Sequence, residues 1–279
     1  MMGKLENSFA LMKASWEILK KDKEILFIPV ISGITMLVLV ASFLLPVFLV
    51  PDPALIKRLM NEDSDSFMLM TFVFYFLSYL IIIFFNSAII ACATIRMGGG
   101  DPTVLDGINL ACSRIFKIIA WALVSASVGI LIRMIQGRSN FLGRVLAGLI
   151  GMAWSAASYL VVPILVNENK GPFSALGNSV ELLKKTWGEG LIGTFSFGLV
   201  FSLMSLPVVF VVAAGAYSGK GMLMLFLLAA GAVYLVVLSV FQSALQGIFQ
   251  AALYQFARFG NVPSGFNEDQ LLHALDRKE

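Results

Sequence analysis

Residues 67–95 read FMLMTFVFYFLSYLIIIFFNSAIIACATI, and no charged side chain interrupts them. At a rise of ~1.5 Å per residue, a helix of this length exceeds the ~30 Å hydrocarbon core of a bilayer. Five further apolar stretches follow the same pattern, at about 27–50, 116–136, 144–166, 191–217 and 222–247. All seventeen carboxylates of the chain fall outside the six. The pattern predicts an all-α fold: a polytopic transmembrane bundle of about six helices.

Composition agrees. Hydrophobic residues make up 58% of the chain, charged residues only 13%, and mean hydropathy is +0.87. Soluble domains carry about 25% charged residues, so the surplus apolar surface is expected to face lipid. The polar stretches between spans are too short to build a second core, which predicts one integral membrane domain over 1–279. The net charge of +3 calls for no nucleic-acid partner. Lys and Arg cluster at span edges, where they can meet anionic headgroups.

The first apolar run, Phe27 to Val50, is too long for a signal peptide's apolar region of ~7–15 residues and reads as a retained span. Cys92 and Cys112 sit near one predicted membrane face and are expected to be free thiols. Fourteen of the twenty Lys and Arg lie in the alternate loops that begin with the N-terminus, among them Lys13, Lys20, Arg96, Lys117 and Lys184. The positive-inside bias then puts both termini in the cytoplasm.

A threefold pattern organises the chain. Before each pair of spans lies an amphipathic segment, at about 5–24, 102–115 and 172–187. Leu5, Phe9, Met12, Trp16 and Leu19 mark one face of the first; Val104, Ile108, Ala111 and Ile115 the second; Phe173, Leu176, Val180, Leu183 and Trp187 the third. Steps of three and four paint one side of a helix. Asp101-Pro102 offers an N-cap with proline at the first helical position, and Gly171-Pro172 is a weaker version. Ser15-Trp16-Glu17-Ile18-Leu19-Lys20-Lys21 aligns with Ser179-Val180-Glu181-Leu182-Leu183-Lys184-Lys185, as a repeated supersecondary unit would.

The blocks SWEILKKDKEILFIPVISG, FFNSAII, GGDPTVLDGINLACSRI, ELLKKTWGEGLIG and ALQGIFQAALYQFA occur in that order. In them the chain resembles a family of prokaryotic polytopic membrane proteins catalogued as a domain of unknown function. The resemblance implies a six-span protein of a prokaryotic cell membrane with no assigned activity. It carries over no functional residue.

Polar positions inside spans are the candidate contacts. Asn86 follows an aromatic-rich stretch of the second span and reads as an interhelical clasp or as a gate contact. Gln242, Gln246 and Gln250 form a polar stripe in the sixth span. That stripe is either the solvent side of a helix leaving the membrane or the wall of a vestibule. Gly143, Ala147, Gly151 and Ser155 recur at steps of four, a seam of small residues that lets helices approach closely within the chain or between protomers. Pro29, Pro46, Pro163 and Pro207 lie in or beside spans without marking a hinge by themselves.

The exposed loop 51–66 carries Asp52, Glu62, Asp63 and Asp65 without the spacing of a calcium loop. The single histidine, His273, falls in a polar tail that reads as a short exposed helix. No cluster has the ligands of a metal site, and no serine has a base beside it. Neither an enzyme nor a bound cofactor is expected. The reading preferred is a non-enzymatic membrane scaffold or assembly factor, partnered by the bilayer and by a membrane protein or a second copy. The alternative is a transporter or channel for small neutral or amphipathic molecules. It would not be proton-coupled, because no acid or histidine lies within a span.

The charge bias has a direct test. In a cysteine-free background on intact cells, single cysteines at Ser64 and Ser139 are expected to react with an impermeant thiol reagent. Labelling at Ser174 instead would reverse the orientation.

Overall fold

The computed structural model describes residues 2–49, 65–138, 140–187, 195–260, 262 and 266. Loop residues 51–64, the expected start of the fifth span at 191–194 and the tail with His273 lie outside the described residues. So do the side chains of Leu5, Phe9, Pro46 and Trp187.

All regular structure among the described residues is helical. In chain order it comprises α1 (Met2–Lys21), a 3-10 turn (Lys23–Leu26), α2 (Phe27–Leu49), α3 (Asp65–Met97), α4 (Val104–Ser113), α5 (Ile115–Arg138), α6 (Phe141–Ala157), α7 (Val161–Glu168), α8 (Pro172–Trp187), α9 (Phe195–Tyr217) and α10 (Gly221–Phe259). Six segments are long and apolar enough to cross a membrane: Lys23–Leu45, Asp65–Met97, Ile115–Gly137, Phe141–Glu168, Val200–Tyr217 and Gly221–Phe259. The short helices α1, α4 and α8 stand where the amphipathic segments are expected.

The chain divides into two compact units. One comprises Met1–Pro29, Cys92–Pro102 and Leu182–Glu279. In it α1 packs along α10 and α9, and α9 and α10 form an antiparallel hairpin. Gly219 closes the hairpin turn at φ +65°, a backbone that glycine adopts without strain. Gly231 lies so close to α9 that a Cβ there would come within 2.9 Å of Val208 Cγ1. Pro207 removes a backbone donor from α9. Nearby, the Tyr234 hydroxyl donates to the Met204 carbonyl at 2.8 Å. The carbonyl that Pro207 leaves without its helical donor is that of Leu203, one residue earlier.

The second unit comprises Val30–Ala91 and Thr103–Glu181. Here α5 and α6 pair, with Trp121 stacked on Trp154 at 5.6 Å between centroids. Phe43 meets Phe74 edge-on at 5.1 Å. Arg133 donates to the Tyr75 hydroxyl.

Burial is lopsided in both units. In the first it gathers in Ala14–Leu19, at Ile25 and Ile28, at Val200 and Phe201, and from Ala244 to Phe256 of α10. In the second it gathers between Ile83 and Ala91, between Ile118 and Ala126, and from Leu160 to Val166. Apart from the α1 residues, these lie at helix ends nearest in sequence to an amphipathic segment or to the C-terminus, while Leu39 and Ala147 are buried elsewhere. The opposite ends expose Leu45, Met68, Leu131, Phe141, Phe210 and Met222, as side chains facing lipid do.

Three expectations are refined. The stripe that α1 buries is Ala14, Ser15, Ile18 and Leu19, with Trp16 left 38% exposed. Small side chains let this helix approach its neighbours closely, and a count of large apolar residues undervalues them. The cap of α4 is Thr103 and not Asp101. Thr103 Oγ1 accepts the Asp106 amide at 3.2 Å, and Asp106 Oδ2 accepts the Thr103 amide at 2.9 Å, a complete capping box. The Thr103 hydroxyl also donates to Asp106 Oδ2 at 2.7 Å, and this bond, with that of the Thr103 amide, holds the Asp106 carboxyl below its ordinary pKa. Asp101 instead faces Arg96.

The third refinement concerns the fourth span, expected as one rod over 144–166. It is interrupted at Ser158–Leu160, between α6 and α7. The Ser179 hydroxyl on α8 closes the gap. It donates to the Ala157 carbonyl at 2.6 Å and accepts the Leu160 amide at 3.2 Å. The apolar side chains that follow, Leu160 to Val166, are buried. Irregular backbone is tolerated at membrane depth only when protein satisfies it. Pro163 sits in the first turn of α7, where its missing N–H costs little.

Ser179→Ala would leave the Leu160 amide buried without its acceptor, at a cost of about 1–3 kcal/mol. Thermal unfolding in detergent is expected to show a clearly lowered midpoint for this variant. The exposed change Lys184→Gln, on the same helix, is expected to stay within about 0.5 kcal/mol of the parent.

Candidate functional site

Three places carry polar or open features: an ion-paired latch, the interrupted helix, and a groove beside α1. The latch is built where α1 ends. Asp22 follows its last turn and donates its own amide to the Leu19 carbonyl at 3.2 Å. This holds the carboxylate inward, only 4% exposed. Arg96, in the last turn of α3, reaches Asp22 Oδ2 at 3.3 Å and also pairs with Asp101. Asp101 is itself largely exposed. One guanidinium therefore ties the end of α1 to the turn that follows α3. Burial raises the Asp22 pKa above its ordinary value, and Arg96 opposes that shift without cancelling it.

At the interrupted helix, two neighbouring cations hold the chain past α7. Arg114 Nε donates to the Val166 carbonyl at 3.4 Å. Lys117 Nζ donates to the Asn169 carbonyl and to its side-chain oxygen. Asn169 has φ +54°, the left-handed end of α7. Asn178, beside Ser179, has its side-chain Nδ2 buried without a hydrogen-bond partner among the described residues.

The groove lies within the first unit. Lys13 and Trp16 of α1 form one wall, Phe201 and Met204 of α9 another, and Phe241 and Leu245 of α10 the third. Its volume is about 440 Å³ and it is open on one side. Trp16 leans on Phe241, with ring centroids 5.7 Å apart. Lys20 Nζ stands 5.9 Å from the Trp16 ring centroid and pairs with Glu17 at 2.9 Å. That bond, with the fields of Lys13 and Lys21, keeps the Glu17 carboxyl below its ordinary pKa.

The candidate contacts from the sequence are distributed as follows. Asn86 is half-buried on α3, in the second unit. Gln242 is half-buried and Gln246 exposed on α10, in the first unit, while Gln250 is buried. The polar stripe thus runs from an open surface into the packed end of its helix. In the seam of small residues, Ala147 is fully buried. A Cβ added at Gly151 would stand 3.9 Å from Ile132 of α5, so this stretch of the seam faces a helix of its own chain. Gly143 is half-buried and Ser155 exposed. Cys92 is buried and Cys112 exposed, and the two are not joined in a disulfide.

Asp22, Arg96, Ser179 and the groove are absent from the sequence-level candidates. Asp22 and Arg96 are separated by a hairpin, and the groove needs three helices distant in sequence. Ser179 did carry a signal, since it aligns with Ser15 in the repeat. Both serines are fully buried, as are Ile18 with Leu182 and Leu19 with Leu183. Glu17 with Glu181 and Lys20 with Lys184 are exposed.

Residues 66–266 match a family described as "Family of unknown function (DUF6159)". No curated protein matches the sequence.

The latch makes a pH prediction. The folded Asp22 carboxyl binds its proton more tightly than the unfolded one. Its contribution to stability is therefore complete below the ordinary aspartate pKa and is lost as pH rises through the raised value. The Asp22→Asn variant lacks this titration. Thermal midpoints measured in detergent at rising pH above 3.8 are expected to fall in the parent relative to the variant. A constant difference across that range would mean that Asp22 titrates as it does in the unfolded chain.

Proposed function

The chain belongs to this family of unknown function, and we propose that it acts as a non-enzymatic scaffold or assembly factor of a prokaryotic cell membrane. One observation carries the reading: α1 and α8 bury the same positions of the repeat and turn the same charged positions outward. Buried Ser15, Ile18 and Leu19 answer Ser179, Leu182 and Leu183, and exposed Glu17 and Lys20 answer Glu181 and Lys184. Each helix would present a similar charged face to a partner. In this reading both termini are cytoplasmic, the lipid-facing halves of the spans anchor the platform, and it needs no cofactor. Its partners are the bilayer and a membrane protein or a second copy of the chain.

A transporter for small neutral or amphipathic molecules is the second reading. The interrupted helix supports it, because discontinuous spans supply substrate contacts in many transporters. Against it, the break is closed by Ser179 and leads into an apolar, buried segment.

The two readings part in a paired experiment. Photo-crosslinkers at Lys20 and Lys184 in native membranes are expected to give discrete protein adducts, with a second protein or with another copy. Liposomes holding the purified protein are expected to release neutral solutes no faster than empty ones, and to show no solute-dependent proton flux. Solute flux that Gln242→Leu abolishes, with no adducts at either position, would replace the scaffold by the transporter.

A further inference from the structure

We propose that the groove beside α1 holds an acyl chain of an anionic phospholipid, whose phosphate is met by Lys13 and Lys20. The inference rests on reading α1 as a helix at the membrane surface, and not on whether the protein scaffolds or transports.

The lining decides the class of ligand. The walls offer almost no polar atoms, and Lys13 is the one charged residue among those described there. A peptide strand laid in such a groove would leave its amides and carbonyls without partners, which is costly away from water. A helix, at ~10–12 Å across, is a poor fit for about 440 Å³. A hydrocarbon chain brings no polar group that these walls would leave without a partner, and it covers apolar side chains that the open groove would otherwise show to water. Met204 adds an unbranched, adaptable wall suited to a flexible chain.

The rim decides the headgroup. Trp16 lines the groove and is partly exposed, as tryptophans at headgroup level are. Lys13 and Lys20 stand three residues before it and four after it, on one side of α1. Glu17 is the countercharge among them, but Lys13, Lys20 and Lys21 all act on it, so the rim keeps a positive excess. A phosphate with no amine satisfies that excess. The amine of a zwitterionic headgroup would work against it.

The test uses the full-length protein in nanodiscs and the fluorescence that Trp16→Phe removes, which isolates Trp16 from Trp121, Trp154 and Trp187. The probes are phosphatidylglycerol and phosphatidylcholine with brominated chains, which quench a nearby indole, compared at equal mole fraction. Brominated phosphatidylglycerol is expected to quench the Trp16 share more effectively, with a preference of about five-fold for each lysine that meets the phosphate. Lys13→Gln with Lys20→Gln is expected to remove the preference while chain-dependent quenching persists. Lys13→Arg is expected to retain it, and added salt to weaken it. Met204→Phe, which narrows the groove, is expected to reduce quenching by both lipids. Equal quenching by the two lipids in the parent protein would overturn the proposal. So would a preference that survives the double lysine variant, or no quenching by either lipid, which would mean that protein covers the groove. Solute flux in liposomes bears on the proposed function alone and leaves this result standing.

Discussion

Lipid tails are as apolar as leucine, so a bilayer offers no hydrophobic reward for pressing two greasy helices together. Close packing there depends on small residues, on backbone groups that need partners, and on surfaces that leave the lipid. The burial pattern follows this constraint. Gly215 and Gly231 let α9 and α10 come close, and the Tyr234 hydroxyl joins them. The dense packing lies where α1 presses on α10. There Ile18, Leu19 and Leu245 are buried within protein.

The same constraint explains the two buried serines. A serine at a helix contact is small enough for close approach and polar enough to serve a backbone group. Ser179 does both, and the chain uses it to end one helix and start the next at no cost in unpaired amides. Ser15 occupies the corresponding place on α1 and is equally buried. A repeat whose hydrophobic stripe alone had been copied would not need a hydroxyl at that position.

How much of this was legible in the sequence depends on the range of each determinant. The spans were legible because hydropathy is a property of the segment itself: Phe27–Leu49 agrees with the expected 27–50, while Gly221–Phe259 runs on past the expected end at 247 into a more polar stretch. The break at Ser158–Leu160 was not, because its determinant lies on α8, about twenty residues away. The cap of α4 was misassigned between two good capping residues, since the choice was made by Arg96, which engages Asp101 from the previous helix. Of the candidate contacts, Gly151 has a visible neighbour in α5, and Ala147 is buried. Asn86, Gln242 and Gln246 were named for their polarity, and polarity alone does not specify what they touch.

Helix α10 has a mechanical consequence. Its 39 residues run without interruption from Gly221 to Phe259, a rod of ~58 Å at 1.5 Å per residue. A hydrocarbon core of ~30 Å cannot enclose it, and its buried stretch begins at Ala244. A thinner bilayer is accommodated by leaning such a helix. A lean of ~10° swings the last sixteen residues sideways by roughly 4 Å. Because α1 packs against that end, such a lean would carry the first helix with it.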